Sequence, residues 1–531
     1  MSEPFGWEQP YPSRRSPVLA ANVVATSQPL AAQAGLAMLG AGGNAVDAAL
    51  AAAVALTVVE PTSNGLGSDA FALVWDGRKL HGLNASGRAP AAWTRERFKH
   101  CEAMPMTGWD AVTVPGAVSA WAALSSRFGR LPFERLFEPA VRYARDGYPV
   151  SPVIAGGWAA QAPGLGERFP DFAAAFLPGG RPPRAGERFR LPEMARTLEE
   201  IAATKGESFY RGSLAGRIAA ASRQAGGAMT ADDLGAHAAE WVEPVSVEYR
   251  GWRLHEIPPN GQGIAALSAL GILGELPLGE HPADSADSLH LQIEAMKLAF
   301  ADAHRHVTEP GHMRVAPDEM LDAGYLAERA RLIDPRRACE PEPGLLAHDD
   351  TVYLTAADES GMMVSFIQSN FHGFGSGIVV PGTGISMQNR AVGFSLDPKH
   401  PNCVAGGKRP YHTIIPGFVT REGRPVMSFG VMGGPMQPQG HLQMMVRLAD
   451  YAQNPQAAAD APRWRVDGGL DVSVEPGFAP GVLEELRRRG HRLKTDRPPS
   501  AFGGAQLVWR LAGGGYCAGS DPRKDGHAVG F

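Results

Sequence analysis

The sequence predicts an α+β protein in which β-sheets pack between layers of helix. Three observations carry this. Strand patterns cluster near the N-terminus and again from residue 351 onward. The middle, residues 110–330, is mostly helical in pattern. Finally, Thr351 marks an abrupt change, from the polar, Pro-rich run PRRACEPEPGLLAHDD to apolar segments rich in Val, Ile, Phe and Tyr. A chain with strands at both ends and helices between them can bury both element types only by layering them.

Each element follows from local chemistry. Asn22–Ala25 reads as a strand, Ser27 as an N-cap and Pro29 as the first helical position, with the helix ending at Gly40. Asn44 caps Ala45–Val59, which is apolar all round and too short to span a membrane. Asp69–Trp75 and Lys79–Asn84 pair across Asp76-Gly77. Helices are expected at Ala117–Arg127, Phe133–Asp146, Met194–Thr204, Leu214–Gln224 and Ser285–His306. A strand pair at Val245–Tyr249 and Arg253–Ile257 interrupts them. Val352–Ala357 and Met362–Gln368 flank the turn residues Asp358-Glu359-Ser360-Gly361, a β-hairpin signal. A strand at Val426–Phe429 leads through Gly430-Val431-Met432-Gly433-Gly434-Pro435 to a helix over Gln439–Tyr451. Another helix is expected near Gly481–Arg489.

Composition bounds the function. The 531 residues suffice for about three domains. A net charge of −5 implies no nucleic-acid partner. Four dispersed cysteines, at 101, 339, 403 and 517, require no disulfides. The first 17 residues read as a disordered polar leader without an apolar signal core, so a cytoplasmic location and no membrane partner are expected. The G-x-G-x-x-A run at Gly65–Ala70 follows a helix and precedes a strand, the wrong context for a dinucleotide site. His304 and His306 form a lone H-x-H without further spaced ligands, so no metal site is expected.

Several motifs acquire meaning together. These are Asn22 to Leu30, Gly43 to Ala49, Val114-Pro115-Gly116, Ala144 to Gly147, Lys408-Arg409-Pro410, Gly433-Gly434 and Ser520-Asp521-Pro522-Arg523. With the Thr351 junction and Asn370, they resemble the γ-glutamyltranspeptidase family of N-terminal-nucleophile hydrolases. The resemblance covers nearly the whole chain. It implies a four-layer αββα sandwich and one structural domain of two interleaved subunits, 1–350 and 351–531, cut from one precursor at Asp350–Thr351. Thr351 would be the nucleophile, Gly433 and Gly434 the oxyanion hole, and Asn370 a catalytic-site residue. The partners implied are a small amide substrate and the chain's own cleaved subunit, as an αβ heterodimer or its α2β2 dimer. No cofactor is implied.

The chain departs from the family pattern. Val352 and Tyr353 replace a small residue and His after the nucleophile. The second assisting Thr is missing, with Gln368 and Ser369 both open for its role. The Arg that grips a glutamate α-carboxylate falls on Ser86, with Arg88 two residues away. A Gln and an Asp that grip the α-amino end match Arg390 and Gly393. Paired serines match His412 and Thr413. Replacing an anion and adding a cation favours an acid without an ammonium group. Only Leu396–Gly407 fills the lid position, so a more open cleft is expected. These features look like the cytoplasmic transferase, cephalosporin acylase and oxamate amidohydrolase branch. The expected activity is amide hydrolysis or acyl transfer, on γ-glutamyl or non-glutamyl donors. A non-processing protein that binds a small acid is the competing reading, motivated by Tyr353 and the 368–369 substitutions. A serine hydrolase is disfavoured because no G-x-S-x-G elbow occurs.

Overall fold

The computed structural model describes residue 11 and residues 15–341 and 351–531. Two seven-stranded sheets lie at its centre. The first runs in the order His527–Gly530, Val23–Thr26, Val352–Ala357, Met363–Ser369, Asp69–Trp75, Leu80–Asn84 and Glu240–Val242. The second runs Val18–Ala20, Tyr516–Ser520, Gly504–Arg510, Arg424–Met432, Gly417–Arg421, Trp252–Glu256 and Val245–Tyr249.

Period-two alternation builds the layers. Val24, Ala72, Val74, Leu354 and Ala356 point from the first sheet into a helical layer that includes Ala45–Val59 and Ala117–Phe128. Their strand neighbours Val23, Ala25, Phe71, Leu73 and Tyr353 point the other way, against Phe418, Met432 and Val508 of the second sheet. That sheet's outer face, with Leu507, Trp509, Phe429 and Val431, covers the helices Gly263–Gly274, Ala286–His306 and Met436–Ala449. The result is a four-layer αββα sandwich in which most strands are buried on both faces.

Local chemistry explains the element ends. Asn44 and Asp47 form a capping box on Ala45–Val59. The Asp358 carboxylate, from the 358–361 turn, accepts from the Ala45 amide at 2.7 Å. It places negative charge at that helix N-terminus. Three expectations need correction. Gln28, not Ser27, caps Pro29–Gly40, accepting from Leu30 and Ala31, because Ser27 Oγ donates to Glu60 Oε2. The 133–146 segment is a 3₁₀ turn, Phe133–Phe137, followed by the helix Glu138–Asp146. The helix after Gly434 begins at Met436 rather than Gln439, because Pro435 caps it directly.

Of the expected disordered leader, residues 1–10 and 12–14 lie outside the described residues. Tyr11 and Arg15 are anchored. Tyr11 donates to Asp284, and Arg15 donates to the Asp521 and Lys524 carbonyls at 2.7 and 2.9 Å. No helix among the described residues is long and apolar enough to cross a membrane.

The two sheets meet closely where Tyr353 lies on Gly430. A Cβ at 430 would stand 2.4 Å from the ring. Gly430→Ala is therefore expected to cost about 1–3 kcal/mol in urea denaturation. In a Tyr353→Ala background the same change should cost under about 0.5 kcal/mol. Equal costs in both backgrounds would place the constraint elsewhere.

Candidate active site

Antiparallel pairing of Val352 with Gln368 sets the register at the head of the hairpin. Successive side chains alternate, so Gln368 and Ser369 face opposite ways. Gln368 points into the helical layer, donating to Ala53 O at 2.8 Å and Asn64 Oδ1 at 2.7 Å and accepting from Trp121 Nε1 at 3.1 Å. Ser369 shares the face of Thr351, with its Oγ 3.2 Å from Thr351 Oγ1. Geometry thus selects Ser369 over Gln368 as the hydroxyl beside Thr351. Ser369 Oγ also accepts from the Phe371 amide at 2.8 Å. Asp350, on the other side of the expected cleavage bond, lies outside the described residues.

A second contact to Thr351 was missed by sequence reasoning. Gln437 Nε2 donates to Thr351 Oγ1 at 3.3 Å, while its Oε1 accepts from Ile415 at 2.9 Å. Gln437 occupies the first turn of Met436–Ala449, just ahead of the predicted helix start. The signal was the Gly-Gly-Pro sequence, which allows a helix to begin at once.

Gly433 and Gly434 form the turn into that helix, at φ +114° and +54°. Such values favour glycine. Their carbonyls accept from Met436 and Gln437, both at 3.0 Å. Gln262 Nε2 ties Gly434 O to Thr413 O, with the Gly434 contact at 2.9 Å. Among the described residues neither amide has a hydrogen-bond acceptor. Asn370 is fully buried, accepting from Ser68 Oγ at 2.9 Å and donating to Ser386 Oγ at 3.2 Å.

The other predicted residues divide into two groups. Arg390, Thr413 and His412 come together. Arg390 is fully buried, donates to Thr413 Oγ1 at 2.7 Å and lies 4.3 Å over the Phe371 ring. His412 Nε2 is 3.0 Å from Asp69 Oδ2, with both side chains inaccessible. The Ile414 amide points to His412 Nδ1 at 3.4 Å, so Nε2 carries the proton and donates to Asp69. Burial pushes the Asp69 carboxyl up to about 7, opposed chiefly by Arg390. Burial, with Arg390 and Arg409, drives His412 well below its ordinary value, so the imidazole is neutral. In the sequence Asp69 is only the start of a strand, and no local signal marks it.

Arg88 does not join this group. It pairs with Glu309 and Glu240 at a partly exposed position and also donates to Gly407 O at 3.0 Å. Ser86 is held by Asn84 Oδ1 at 2.7 Å and by Asn260 Nδ2 at 3.2 Å. Gly393 has no room for the missing acid, since a Cβ there would lie 2.3 Å from Tyr411 O. Within Leu396–Gly407, Val404 is buried in a cluster with Phe394, Trp93 and Phe98.

One potential metal-ligand cluster occurs among the described residues, His290, Glu294 and His491. Its cation is Lys297, whose Nζ donates to Glu294 at 2.8 Å.

A family model for gamma-glutamyltranspeptidase matches residues 31–531. The chain belongs to the γ-glutamyltranspeptidase family. It is 38% identical to the oxamate amidohydrolase proenzyme of Klebsiella pneumoniae, over 94% of this chain and 97% of the relative. It is 36% identical to the glutathione hydrolase-like YwrD proenzyme of Bacillus subtilis, with the same coverage. A crystal structure of cephalosporin acylase from Bacillus halodurans superposes with TM-score 0.94 and 52% identity, covering 99% of this chain and 98% of that one. The protein is thus an amide hydrolase or acyltransferase of this family.

Tyr353, two residues after Thr351, has a structural place. Its hydroxyl is 2.7 Å from Ser365 Oγ, and Ser365 Oγ donates to Phe429 O at 3.2 Å. The side chain thereby joins the strand that follows Thr351 to the strand that leads to Gly433. Ser369→Ala, which removes the contact to Thr351 and the acceptor of the Phe371 amide, is expected to slow turnover about tenfold with only a small fall in melting temperature. Gln368→Ala, which strips three buried partners, should instead lower the melting temperature by several degrees. Reversal of these two outcomes would exchange the roles given to the two residues.

Proposed function

We propose that this chain cuts itself between Asp350 and Thr351 and then hydrolyses amides of small carboxylate-bearing acids that lack a glutamate-like ammonium. One observation supports it above others: Thr351 Oγ1 lies within reach of both Ser369 Oγ and Gln437 Nε2 at the head of a buried strand.

Cleavage would free the Thr351 α-amine, whose ordinary pKa of about 8 lets it act as base on its own hydroxyl. Oγ1 attacks the amide carbon as its proton passes to the α-amine. The Gly433 and Gly434 amides stabilise the oxyanion, an interaction on the order of 10²–10³ in rate per donor. The C–N bond breaks and the departing nitrogen takes the proton. Water resolves the acyl-Thr351 ester, and an amine in place of water would give transfer. Ser369 and Gln437 hold the hydroxyl in place, and Asn370 fixes the loop behind it.

The acyl pocket would be built from Arg390, Thr413 and His412, with Ser86 behind them. Arg390 supplies the cation for a carboxylate. Both oxygens of Asp69 are engaged, by His412 and by the Gly87 amide, so it makes a poor ammonium partner. The close approach of Tyr411 O forbids an acid at 393. This favours donors like those named for the oxamate amidohydrolase and cephalosporin acylase relatives over γ-glutamyl donors of the glutathione type. The two products of cleavage would stay together as an αβ heterodimer. Four free cysteines accord with a reducing, cytoplasmic setting.

Intact mass measured under denaturing conditions should give two fragments parting at 350–351, and Thr351→Ala should give one whole chain. A single chain in both samples would instead support the acid-binding reading. Between donors, glutaryl-p-nitroanilide should exceed γ-glutamyl-p-nitroanilide at least about tenfold in kcat/KM, since an unpaired ammonium must be buried. Equal rates would return the protein to γ-glutamyl chemistry.

A further inference from the structure

One buried side chain, Gln262, bridges the acyl pocket and the oxyanion turn. It stands just ahead of the helix Gly263–Gly274 and is 1% exposed. Its amide nitrogen has two protons and two carbonyl partners. One partner is Thr413 O; the other is Gly434 O, at 2.9 Å. Its amide oxygen accepts from the Tyr411 hydroxyl at 3.1 Å. That fixes the orientation of the amide, since a flipped group would set Oε1 against two carbonyl oxygens. The main chain is fastened as well. Gln262 N donates to His412 O, and His412 N donates to Asn260 O, both at 2.9 Å.

Each carbonyl held by Gln262 leads on to a working group. Thr413 Oγ1 accepts from Arg390 Nη1 at 2.7 Å. Gly434 O also accepts from the Gln437 amide at 3.0 Å, and Gln437 Nε2 donates to Thr351 Oγ1 at 3.3 Å. A continuous line of contacts therefore runs from the Arg390 guanidinium, through Thr413, Gln262, Gly434 and Gln437, to the hydroxyl of Thr351. Every side chain in it is buried. Buried groups have no water to exchange with. A shift of Thr413 must carry Gln262 with it or leave a buried carbonyl unpaired.

We propose that Gln262 is a positioning residue that couples binding of the acyl group's carboxylate to the oxyanion turn. The inference rests on the reading above, in which Arg390 takes that carboxylate and Gly433 and Gly434 take the oxyanion. A carboxylate that draws on Arg390 also acts on Thr413. Through Gln262 it sets the Gly434 peptide and the Gln437 side chain where the transition state needs them. Recognition of the acyl end then appears in kcat rather than in KM, because that part of the binding energy is realised only as the oxyanion forms. The tie imposes a selectivity that contact with Arg390 alone would not. An uncharged acyl group of the same length enters the pocket but leaves the turn unset.

The test compares glutaryl-p-nitroanilide with the matching donor whose free carboxylate is replaced by a primary carboxamide. The two share length and leaving group and differ in charge. In Gln262→Met the ratio of kcat for the charged over the neutral donor should fall about tenfold, with each KM within about twofold of wild type. Tyr411→Phe keeps the ring and removes only the hydroxyl that orients the amide, so it should lower the same ratio by about threefold. A purely structural role would slow both donors alike and leave the ratio unchanged, and that outcome overturns the proposal. A second measurement needs no turnover. Glutarate should slow hydrogen exchange across residues 430–437 in the wild type but not in Gln262→Met, while calorimetry shows both proteins binding it. Glutarate binding without such protection in the wild type also overturns the proposal. If γ-glutamyl-p-nitroanilide proves the better donor, the acyl reading fails. The kcat ratio of that donor over the carboxamide then decides the coupling by the same criterion.

Discussion

Register between Val352 and Gln368 is the constraint on which the site depends. A strand slipped by one residue exchanges its two faces. Here a slip would turn Ser369 into the helical layer and bring Gln368 to Thr351. Both faces of Met363–Ser369 are buried, so the slip would also drive Val364 and Phe366 off their core. The packing that stabilises the sandwich is thus the same packing that sets Thr351 opposite Ser369. Tyr353 extends the constraint across the layers, since its closeness to Gly430 ties the strand after Thr351 to Arg424–Met432, which leads to Gly433.

Buried charge is the second organising feature. Arg390, Asp69 and His412 are inaccessible, and each must be compensated where it stands. The Asp69 carboxyl meets the Gly87 amide and the His412 ring, while Arg390 meets Thr413 and the Phe371 face. Arg409 holds the rim by donating to Ser86 O and to both oxygens of Glu240. A comparable arrangement secures the C-terminal segment. Arg463 and Arg523 meet Asp521, and Arg523 also pairs with Glu475. Removing one member of such a set leaves an unpaired buried ion, which is more damaging than never having had the pair.

Much of this was legible in the sequence where short-range chemistry decides. The Asp358–Gly361 turn, the Asn44 cap and the Gly-Gly-Pro turn each carry their own signal, and each appears in the structure. The four-layer fold followed from the family resemblance and from the distribution of strands. What was missed depends on contacts between distant segments. Gln437 reaches Thr351 across 86 positions of sequence. Asp69 meets His412 across 343. Neither pairing leaves a local trace. The same holds for Arg88, whose nearness in sequence to Ser86 says nothing of Glu309 and Glu240, its ion-pair partners at a partly exposed position.

The strand order of the first sheet has a consequence for any chain broken between residues 341 and 351. Val352–Ala357 and Met363–Ser369 lie between Val23–Thr26 on one side and Asp69–Trp75 on the other. His527–Gly530 closes the far edge of Val23–Thr26. Neither piece owns a complete seven-stranded sheet, so neither has a folded state of its own to dissociate into. Such a nicked molecule should behave toward dilution as a single chain does. Its two halves can part only by melting, and dilution alone offers no route to the separated pieces.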